Sequence, residues 1–270
     1  MEELTLVLVS ILTFCLAFYL LISQVSARRS ARGSGRMSRV LLVTAHPDDE
    51  VSPDGLLSFR GAMLVLFQVM FFGPSILSLV EAGCEVYLLV MSPGRELGHT
   101  RKYELYRSCV ELGLPLENII LVRHSKLKDD PNQRWREELL SSIVTRHLHS
   151  LNIDTLLTFD RSGVSGHRNH IALYHAAACI SLENPPADIY SLTTVNIMRK
   201  YSSILDVPMS FLLCPTVFIS SLSQWWRLQR AMSQHWSQYT WYRKLYMIFS
   251  RYTLINTLEL VSQHRTDQTG

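Results

Sequence analysis

The stretch that decides the fold is VLLVTAHPDDE, residues 40–50. It begins with VLLVT, a short apolar run that is typical of a strand buried on both faces of a parallel sheet. The residues that follow, AHPDDE, place one imidazole and three carboxylates side by side. Neighbouring carboxylates repel one another, and a divalent cation relieves that repulsion. The stretch therefore predicts a buried strand that leads into a metal-binding loop.

Other short apolar runs recur along the chain and alternate with helical patterns. The runs are residues 85–91, 118–122, 154–159 and 189–195, and the helical patterns include residues 100–112 and 131–150. Strands that alternate with helices predict an α/β fold, Rossmann-like, with a mostly parallel sheet and helices on both faces. In such sheets ligands bind beyond the carboxyl ends of the strands. The residues that follow each strand are therefore the candidates for function.

The amino-acid composition argues against several classes of protein. The chain has 270 residues, of which 47% are hydrophobic and 18% charged, so it is too apolar for a disordered protein. The net charge of +3 does not indicate a nucleic-acid binder. Its five cysteines are scattered and form no CxxC pair, which favours buried free thiols in a reducing compartment over disulfides or a zinc ribbon.

The N-terminus predicts a single transmembrane helix. Residues 4–25 carry no charge, and about 20 apolar residues span a bilayer. Five arginines follow this run, and positive charge stays on the cytosolic side, so the rest of the chain should face the cytosol. A cleaved secretion signal is the alternative, although the basic cluster lies on the wrong flank for it. The predicted division is an anchor at 1–27, a basic linker at 28–38, a folded domain at 39–262 and a tail at 263–270.

A second motif follows the run at residues 154–159. It reads DRSGVSGHRNH, residues 160–170, and it carries His167 and His170. If a helix begins near Gly166, both imidazoles lie on one face of its first turn. One histidine and one aspartate from the first loop, with one histidine from the second, give three ligands and an open position, the pattern of a catalytic zinc site. The spacing leaves open which aspartate binds the metal and which accepts a proton.

Each motif also has a plainer interpretation. The alternative for the two histidines is a pair of unrelated side chains at the start of a surface helix, since ten histidines in 270 residues give roughly 0.4 such pairs by chance. The alternative for the acidic residues is the start of a helix, where they favour the helix dipole. A nucleotide-binding Rossmann domain is a third alternative, but it would need a glycine-rich loop after the first strand. The residues at that position are HPDDE, which would repel phosphate in the absence of a metal.

Several segments together resemble the LmbE-like zinc deacetylases. They are LLVTAHPDDE, MFFGPSILSL, TFDRSGVSGHRNHIALYHA, TTVNIMRKY and KLYMIFSRYTLIN. The resemblance is strongest to the branch that deacetylates N-acetylglucosaminyl-phosphatidylinositol during glycosylphosphatidylinositol anchor synthesis. It implies a glycolipid substrate, an endoplasmic-reticulum membrane location, a cytosolic catalytic domain and a Zn²⁺ cofactor. Histidine and aspartate ligands also accept Fe²⁺ or Mn²⁺.

The resemblance also implies a role for each residue of the two motifs. It assigns the metal ligands to His46, Asp49 and His170. It assigns the general base to Asp48 and the group that faces the oxyanion to His167. The implied chemistry is zinc-assisted hydrolysis of an acetamide.

Two weaker candidates concern the substrate. His235 lies in MSQHWSQ, which resembles a family stretch near the substrate pocket, and a structural histidine is the alternative. Arg95, like Arg101, follows the predicted strand at 85–91 and could meet the substrate phosphate. A solvated surface arginine is the alternative for both. Residues 241–260 mix aromatic and basic side chains, which suits either a membrane interface or a core helix.

The chain departs from the family pattern directly after HPDDE. Residues 52–69 form an apolar insertion where the family continues almost at once into MFF. Loops between a strand and a helix in such sheets usually have about 2–6 residues. The insertion therefore raises an alternative function, that of a catalytically weak isoform that acts through partner or lipid binding.

Overall fold

The computed structural model describes residues 2–30, 37–45, 67–92, 99–127, 134–183 and 185–261. Within these ranges the strands are β1 Arg39–Thr44, β2 Glu85–Val90, β3 Ile119–Leu121, β4 Thr155–Phe159, β5 Asp188–Leu192, β6 Thr216–Ile219 and β7 Ile255–Leu260. The helices are α1 Glu2–Ser30, α2 Phe67–Glu81, α3 His99–Glu111, α4 Glu137–Ser150, α5 Gly163–Gly166, α6 Arg168–Leu182, α7 Ile197–Lys200, α8 Val207–Leu213, α9 Leu222–Ser233 and α10 Trp241–Phe249.

The strands form one sheet in the order β3-β2-β1-β4-β5-β7-β6. The first five are parallel, and β7 runs antiparallel to both β5 and β6. In β1 every residue after Arg39 is buried, because the strand is central and covered on both faces. The predicted α/β fold with a mostly parallel sheet is confirmed. The antiparallel pair at one edge was not predicted.

Helices cover both faces of the sheet. On one face α6 contacts β1, β4 and β5 and packs against α4. On the other, α2 contacts β2, β6 and β7 and packs against α9, which in turn contacts α3. Helix α4 begins at Glu137, later than the predicted start at residue 131, because Arg136 is extended and two glutamates open the helix where the dipole favours them.

Helix α2 is fastened to the sheet at its proline. Pro74 cannot donate a backbone hydrogen bond, and an internal proline weakens the helix around it. The buried side chain of Asn256 on β7 bridges the gap, since its Nδ2 donates to the Phe71 carbonyl (2.7 Å) and its Oδ1 accepts from the Ser75 amide (3.1 Å). This bridge fixes the aromatic pair Phe71 and Phe72 over the sheet.

Helix α1 extends from the domain as an apolar rod. Its segment Glu3–Val25 is the one helix in the described ranges that is long and apolar enough to cross a membrane. Its later half touches the domain, where the Tyr19 hydroxyl donates to the Ser220 carbonyl (2.9 Å) and the Phe18 ring lies 5.8 Å from that of Phe211. The helix continues to Ser30, three residues past the predicted anchor.

Two other predictions can be compared with the structure. All five cysteines are free, as predicted, but only Cys15 and Cys109 are buried, and Cys179 is exposed. The stretch at 241–260 is not one element, because α10 ends at Phe249 and a 3₁₀ turn, Arg251–Thr253, leads into β7. An interpretation of that stretch as a single core helix is therefore wrong.

Candidate active site

The candidate site lies where the direction of strand connection changes. β1 and β4 are neighbours in the sheet. From β1 the strand order continues to β2 and β3 on one side, and from β4 it continues to β5 on the other. A crevice opens at such a switch point, beyond the carboxyl ends of the strands. The described range that contains β1 ends at Ala45, whose carbonyl accepts from the Ser92 amide at 2.8 Å. The next residue in the chain is His46.

Asp160 organises the loop that follows β4. One of its carboxylate oxygens accepts from the Thr194 amide (2.7 Å), and the other accepts from the Thr194 hydroxyl (2.6 Å) and the Ser162 amide (3.0 Å). The Thr194 hydroxyl in turn accepts from the amide of Val164 (2.9 Å). Val164 has φ of 61°, a strained conformation for a β-branched residue. The loops after β4 and β5 are therefore locked together.

Gly163 sets the position of His170. It has φ of +59°, and a Cβ there would lie 2.9 Å from the Cβ of His170, so a side chain at this position would collide with the histidine. The Gly163 carbonyl lies 3.0 Å from the Nδ1 of His170. A carbonyl can only accept, so Nδ1 carries the proton and Nε2 carries the lone pair. This is the tautomer that a histidine needs in order to bind a metal through Nε2.

The environment of His170 keeps its ring neutral. The side chain is fully buried and stacks on Phe159 with ring centroids 3.8 Å apart. Burial, with a smaller contribution from His167, lowers the pKa of His170 to about 3. A neutral imidazole with a fixed ring plane is suited to metal binding.

His167 has the opposite tautomer. It is the N-cap of α6, and its Nδ1 accepts from the Asn169 amide at 3.3 Å. The neutral ring therefore carries its proton on Nε2. The rings of His167 and His170 lie 5.0 Å apart, and His167 is partly exposed. The pair offers one metal-binding lone pair and one hydrogen-bond donor, the two functions that assisted amide hydrolysis needs.

Comparison with known proteins identifies the family. Residues 68–181 match the family described as PIG-L: GlcNAc-PI de-N-acetylase. The N-acetylglucosaminyl-phosphatidylinositol de-N-acetylase of Bos taurus is 38% identical over 233 residues, which cover 84% of this chain and 85% of the bovine protein. This chain belongs to the PIG-L family. Both histidines lie within the matched range, and HPDDE lies before it.

A further relative and two solved structures are also similar to this chain. A probable N-acetylglucosaminyl-phosphatidylinositol de-N-acetylase of Schizosaccharomyces pombe is 30% identical over 246 residues, covering 87% of this chain and 92% of the yeast protein. The fold is also that of the N,N'-diacetylchitobiose deacetylase of Pyrococcus horikoshii (TM-score 0.54, 15% identity, 90% of this chain and 91% of that one). A teicoplanin deacetylase in a zinc-inhibited form has the same fold (TM-score 0.52, 11% identity, 86% of this chain and 100% of that one). The PIG-L relatives are named as de-N-acetylases, a family that hydrolyses N-acetyl amides, and this chain is an enzyme of that family.

Some predicted PIG-L site residues lie outside the described ranges. These are His46, Asp48 and Asp49 of the first motif and Arg95 after β2. Among the described residues alone, no three histidine, cysteine, aspartate or glutamate side chains form a group that could hold a metal. The assignment of His46 and Asp49 as metal ligands therefore stays a prediction.

His235 is described and is wholly buried. Burial, with a smaller contribution from Arg243, lowers its pKa to about 3, and neither ring nitrogen has a hydrogen-bond partner in the described part of the chain. The loop that carries it is tied to α3, because the buried carboxylate of Glu104 accepts from the amide and hydroxyl of Ser237 (2.9 and 2.8 Å). Its role in substrate binding stays a prediction.

Two parts of this PIG-L site were missed from the sequence. Asp160 directly follows β4, a position that could have been noticed, but its partner Thr194 is distant in sequence. The aromatic layer beneath the histidines was missed as well. In it the Phe72 ring lies 5.1 Å from that of Phe159, which stacks on His170. The Asp160–Thr194 hydrogen bonds and the stacked phenylalanine rings both hold the imidazoles in place.

Proposed function

We propose that this chain is a zinc-dependent hydrolase that removes the acetyl group from N-acetylglucosaminyl-phosphatidylinositol. The observation that carries the proposal is the pair His167 and His170, which are held at the switch point of the sheet in complementary tautomers. The relatives that match most of the chain are named for this deacetylation, which supports the same substrate here. The product would be the free amine, as expected for a step of glycosylphosphatidylinositol anchor synthesis.

The proposed metal ligands are His46, Asp49 and His170. The first two follow β1 in the sequence, and β1 is a parallel neighbour of β4, whose carboxyl end leads into the loop before His170. The His170 tautomer, with Nδ1 donating to a backbone carbonyl, fits the orientation usual for a metal-binding histidine. When bound, a zinc ion would acidify a water molecule and polarise a carbonyl group. The same ligands would accept Fe²⁺ or Mn²⁺.

The proposed residue chemistry divides between Asp48 and His167. Asp48 takes a proton from water as the water oxygen bonds to the acetyl carbon. The Nε2–H of His167 then donates to the oxygen that becomes negative. The C–N bond breaks, and the nitrogen leaves as an amine with a proton from Asp48 or His167. Acetate and glucosaminyl-phosphatidylinositol are the products.

An exposed apolar surface supports a membrane location. On α10 the residues Trp241, Leu245, Ile248 and Phe249 recur at helical spacing, and each is at least 45% exposed. Helices α7 and α8, which both contact the 3₁₀ turn Ser203–Asp206, carry four further exposed apolar residues, Ile197, Met198, Leu212 and Leu213. We call these eight residues the apolar surface.

The apolar surface adjoins α1. The 3₁₀ turn Ser203–Asp206 contacts α1, and the Ser203 hydroxyl donates to the Ile248 carbonyl at 3.4 Å. Helix α8 also packs on α1. A bilayer that receives α1 therefore lies beside this surface, and aromatic and apolar side chains are favoured at such an interface. We propose single-pass insertion in the endoplasmic-reticulum membrane with the domain in the cytosol, as the basic residues after α1 favour.

A charged side chain on the apolar surface is expected to weaken the contact with the membrane and to leave the catalytic step unchanged. Ile248→Glu should lower the rate on substrate in phosphatidylcholine vesicles by about threefold to tenfold, because an apolar contact with the bilayer is lost. The rate on a short-chain substrate in solution should not change. The matched control is Val110→Glu on α3, which is also exposed and lies outside the surface. Equal effects of the two substitutions in vesicles would contradict the membrane assignment.

The predicted insertion at 52–69 supports a second candidate function, that of a weakly active isoform. The insertion separates HPDDE from α2, and a displacement of about 1 Å in a catalytic group can cost on the order of a hundredfold in rate. Most of this segment lies outside the described ranges. Only its last residues, from Phe67, lie in α2.

Acetate release from N-acetylglucosaminyl-phosphatidylinositol in detergent tests the proposal. The full chain should release acetate with added zinc, lose activity after chelation and regain it when zinc returns. A variant that lacks residues 52–69 should be faster and bind zinc more tightly if the insertion weakens the site. Equal rates would refute that second candidate. If neither form releases acetate with metal present, the proposed function is wrong.

A further inference from the structure

Lys200 is a cation that the proposed chemistry does not use. It ends α7, the short helix that follows β5 on the same edge of the sheet as the histidine pair. Helix α7 is fixed in place because the side chain of Asn196 accepts from the Arg199 amide at 3.0 Å. The ammonium group is therefore carried by a capped turn rather than by a loose loop.

Aromatic rings surround the Lys200 ammonium on three sides. Its Nζ lies 5.7 Å from the ring centre of Phe71, 5.8 Å from that of Tyr246 and 5.9 Å from that of Tyr201. The side chain is partly buried, and this burial lowers the pKa of the Lys200 ammonium. Aromatic faces attract a cation but do not neutralise it. The site therefore retains positive charge in a poorly hydrated place.

The neighbouring carboxylate is already engaged by two arginines. Asp206 lies 2.6 Å from the Nε of Arg199 and 2.9 Å from the Nε of Arg251, and it also accepts from Ser210. Lys200 forms no ion pair with any carboxylate in the described ranges. Asp206 is thus paired with Arg199 and Arg251, and among the described residues Lys200 has no anionic partner.

The Lys200 site is linked to the histidine pair by packed rings. Phe71 lies under the ammonium, and the next residue, Phe72, packs on Phe159, which stacks on His170. On its other side, the same helix α7 presents Ile197 and Met198 of the apolar surface. Lys200 is therefore connected to the histidine pair through packed rings and to the apolar surface through α7.

We propose that Lys200 binds the phosphodiester of the glycolipid substrate. A glycosylated phosphoinositide has its acyl chains, phosphate and amino sugar in that order, which matches the order of apolar surface, Lys200 and histidine pair. A phosphate is the anion whose charge this ammonium would balance, and a partly desolvated cation attracts it more strongly than an exposed one. The inference rests on the proposed function, since it takes the substrate from it.

Two substrates and three variants test the inference. The substrates are N-acetylglucosaminyl-phosphatidylinositol and an alkyl N-acetylglucosaminyl-inositol that lacks the phosphate, each in non-ionic micelles. Lys200→Met should raise KM for the first by about 10- to 100-fold with little change in kcat, because a charged hydrogen bond to the substrate is lost. It should leave KM for the second at the wild-type value. Lys200→Arg should stay near wild type on both.

The matched control is Lys244→Met. Lys244 is exposed on α10 and lies near a single tyrosine ring, 5.4 Å from that of Tyr239, so it is a lysine beside an aromatic ring but without the burial and the three rings of Lys200. This variant should behave as wild type on both substrates. Equal losses for Lys200→Met on both substrates would indicate a structural role and overturn the inference, as would no loss on either.

Two further measurements separate the remaining outcomes. Phosphatidylserine added to the micelles tests whether Lys200 binds the phosphate of bulk lipid instead of that of the substrate. If Lys200→Met has an effect only when phosphatidylserine is present, and has it with both substrates, the inference is overturned. Binding of a fluorescent phosphatidylinositol does not depend on catalysis. Wild type should bind it at least tenfold more tightly than Lys200→Met even if neither protein releases acetate, whereas equal binding would overturn the inference on its own.

Discussion

Replacing His167 with asparagine is expected to lower kcat by about 10²- to 10³-fold, the usual effect of removing one oxyanion donor. The Nε2–H of His167 is the donor in question, because its Nδ1 accepts from the Asn169 amide. Asparagine is also a good N-cap residue, so this substitution keeps the start of α6. The variant should therefore have a lower kcat, whereas its metal content and thermal stability should stay those of the wild type.

Two control variants sharpen this test. His167→Ala should lose the same activity and, in addition, about 1 kcal/mol of stability, because alanine cannot cap the helix. His175→Asn, an exposed histidine on the same helix, should leave both properties unchanged. A His167→Asn protein with the kcat of the wild type would show that His167 does not contact the reacting oxygen.

The five parallel strands could be predicted because each is a short apolar run between turn signals. The two antiparallel strands could not. β6 has only four residues and is half-buried, and β7 contains the buried polar residues Asn256 and Thr257 directly after an aromatic helical stretch. The Asn256 side chain forms hydrogen bonds with backbone groups of α2 next to Pro74. This role depends on a contact that exists only in the folded protein.

The site shows the same division between local and non-local information. The sequence places His167 and His170 on one helical turn, and the structure has them there, with His167 as the cap of α6 rather than inside it. Their tautomers depend on Gly163 and Asn169, which are close in sequence but give no signal before the loop conformation is known. The surroundings of Lys200 depend on Phe71 and Tyr246, which come from distant parts of the chain. No local pattern could have predicted them.

The central claim is that His46 and His170, from separate loops, bind one metal ion together with Asp49. His170→Ala is expected to abolish acetate release, with a loss of more than about 10³-fold, because its neutral Nε2 is the proposed ligand and its ring plane is fixed by Phe159 and Gly163. His46→Ala should have the same effect. His167→Asn is the matched variant that should lose activity but keep the metal.

The most direct measurement is the metal content of the purified full chain and of these three variants. Elemental analysis should find about one zinc per chain in the wild type and in His167→Asn. It should find almost none in His46→Ala and His170→Ala, although both remain folded by circular dichroism. Full metal content in either of these two alanine variants would contradict the proposed metal centre.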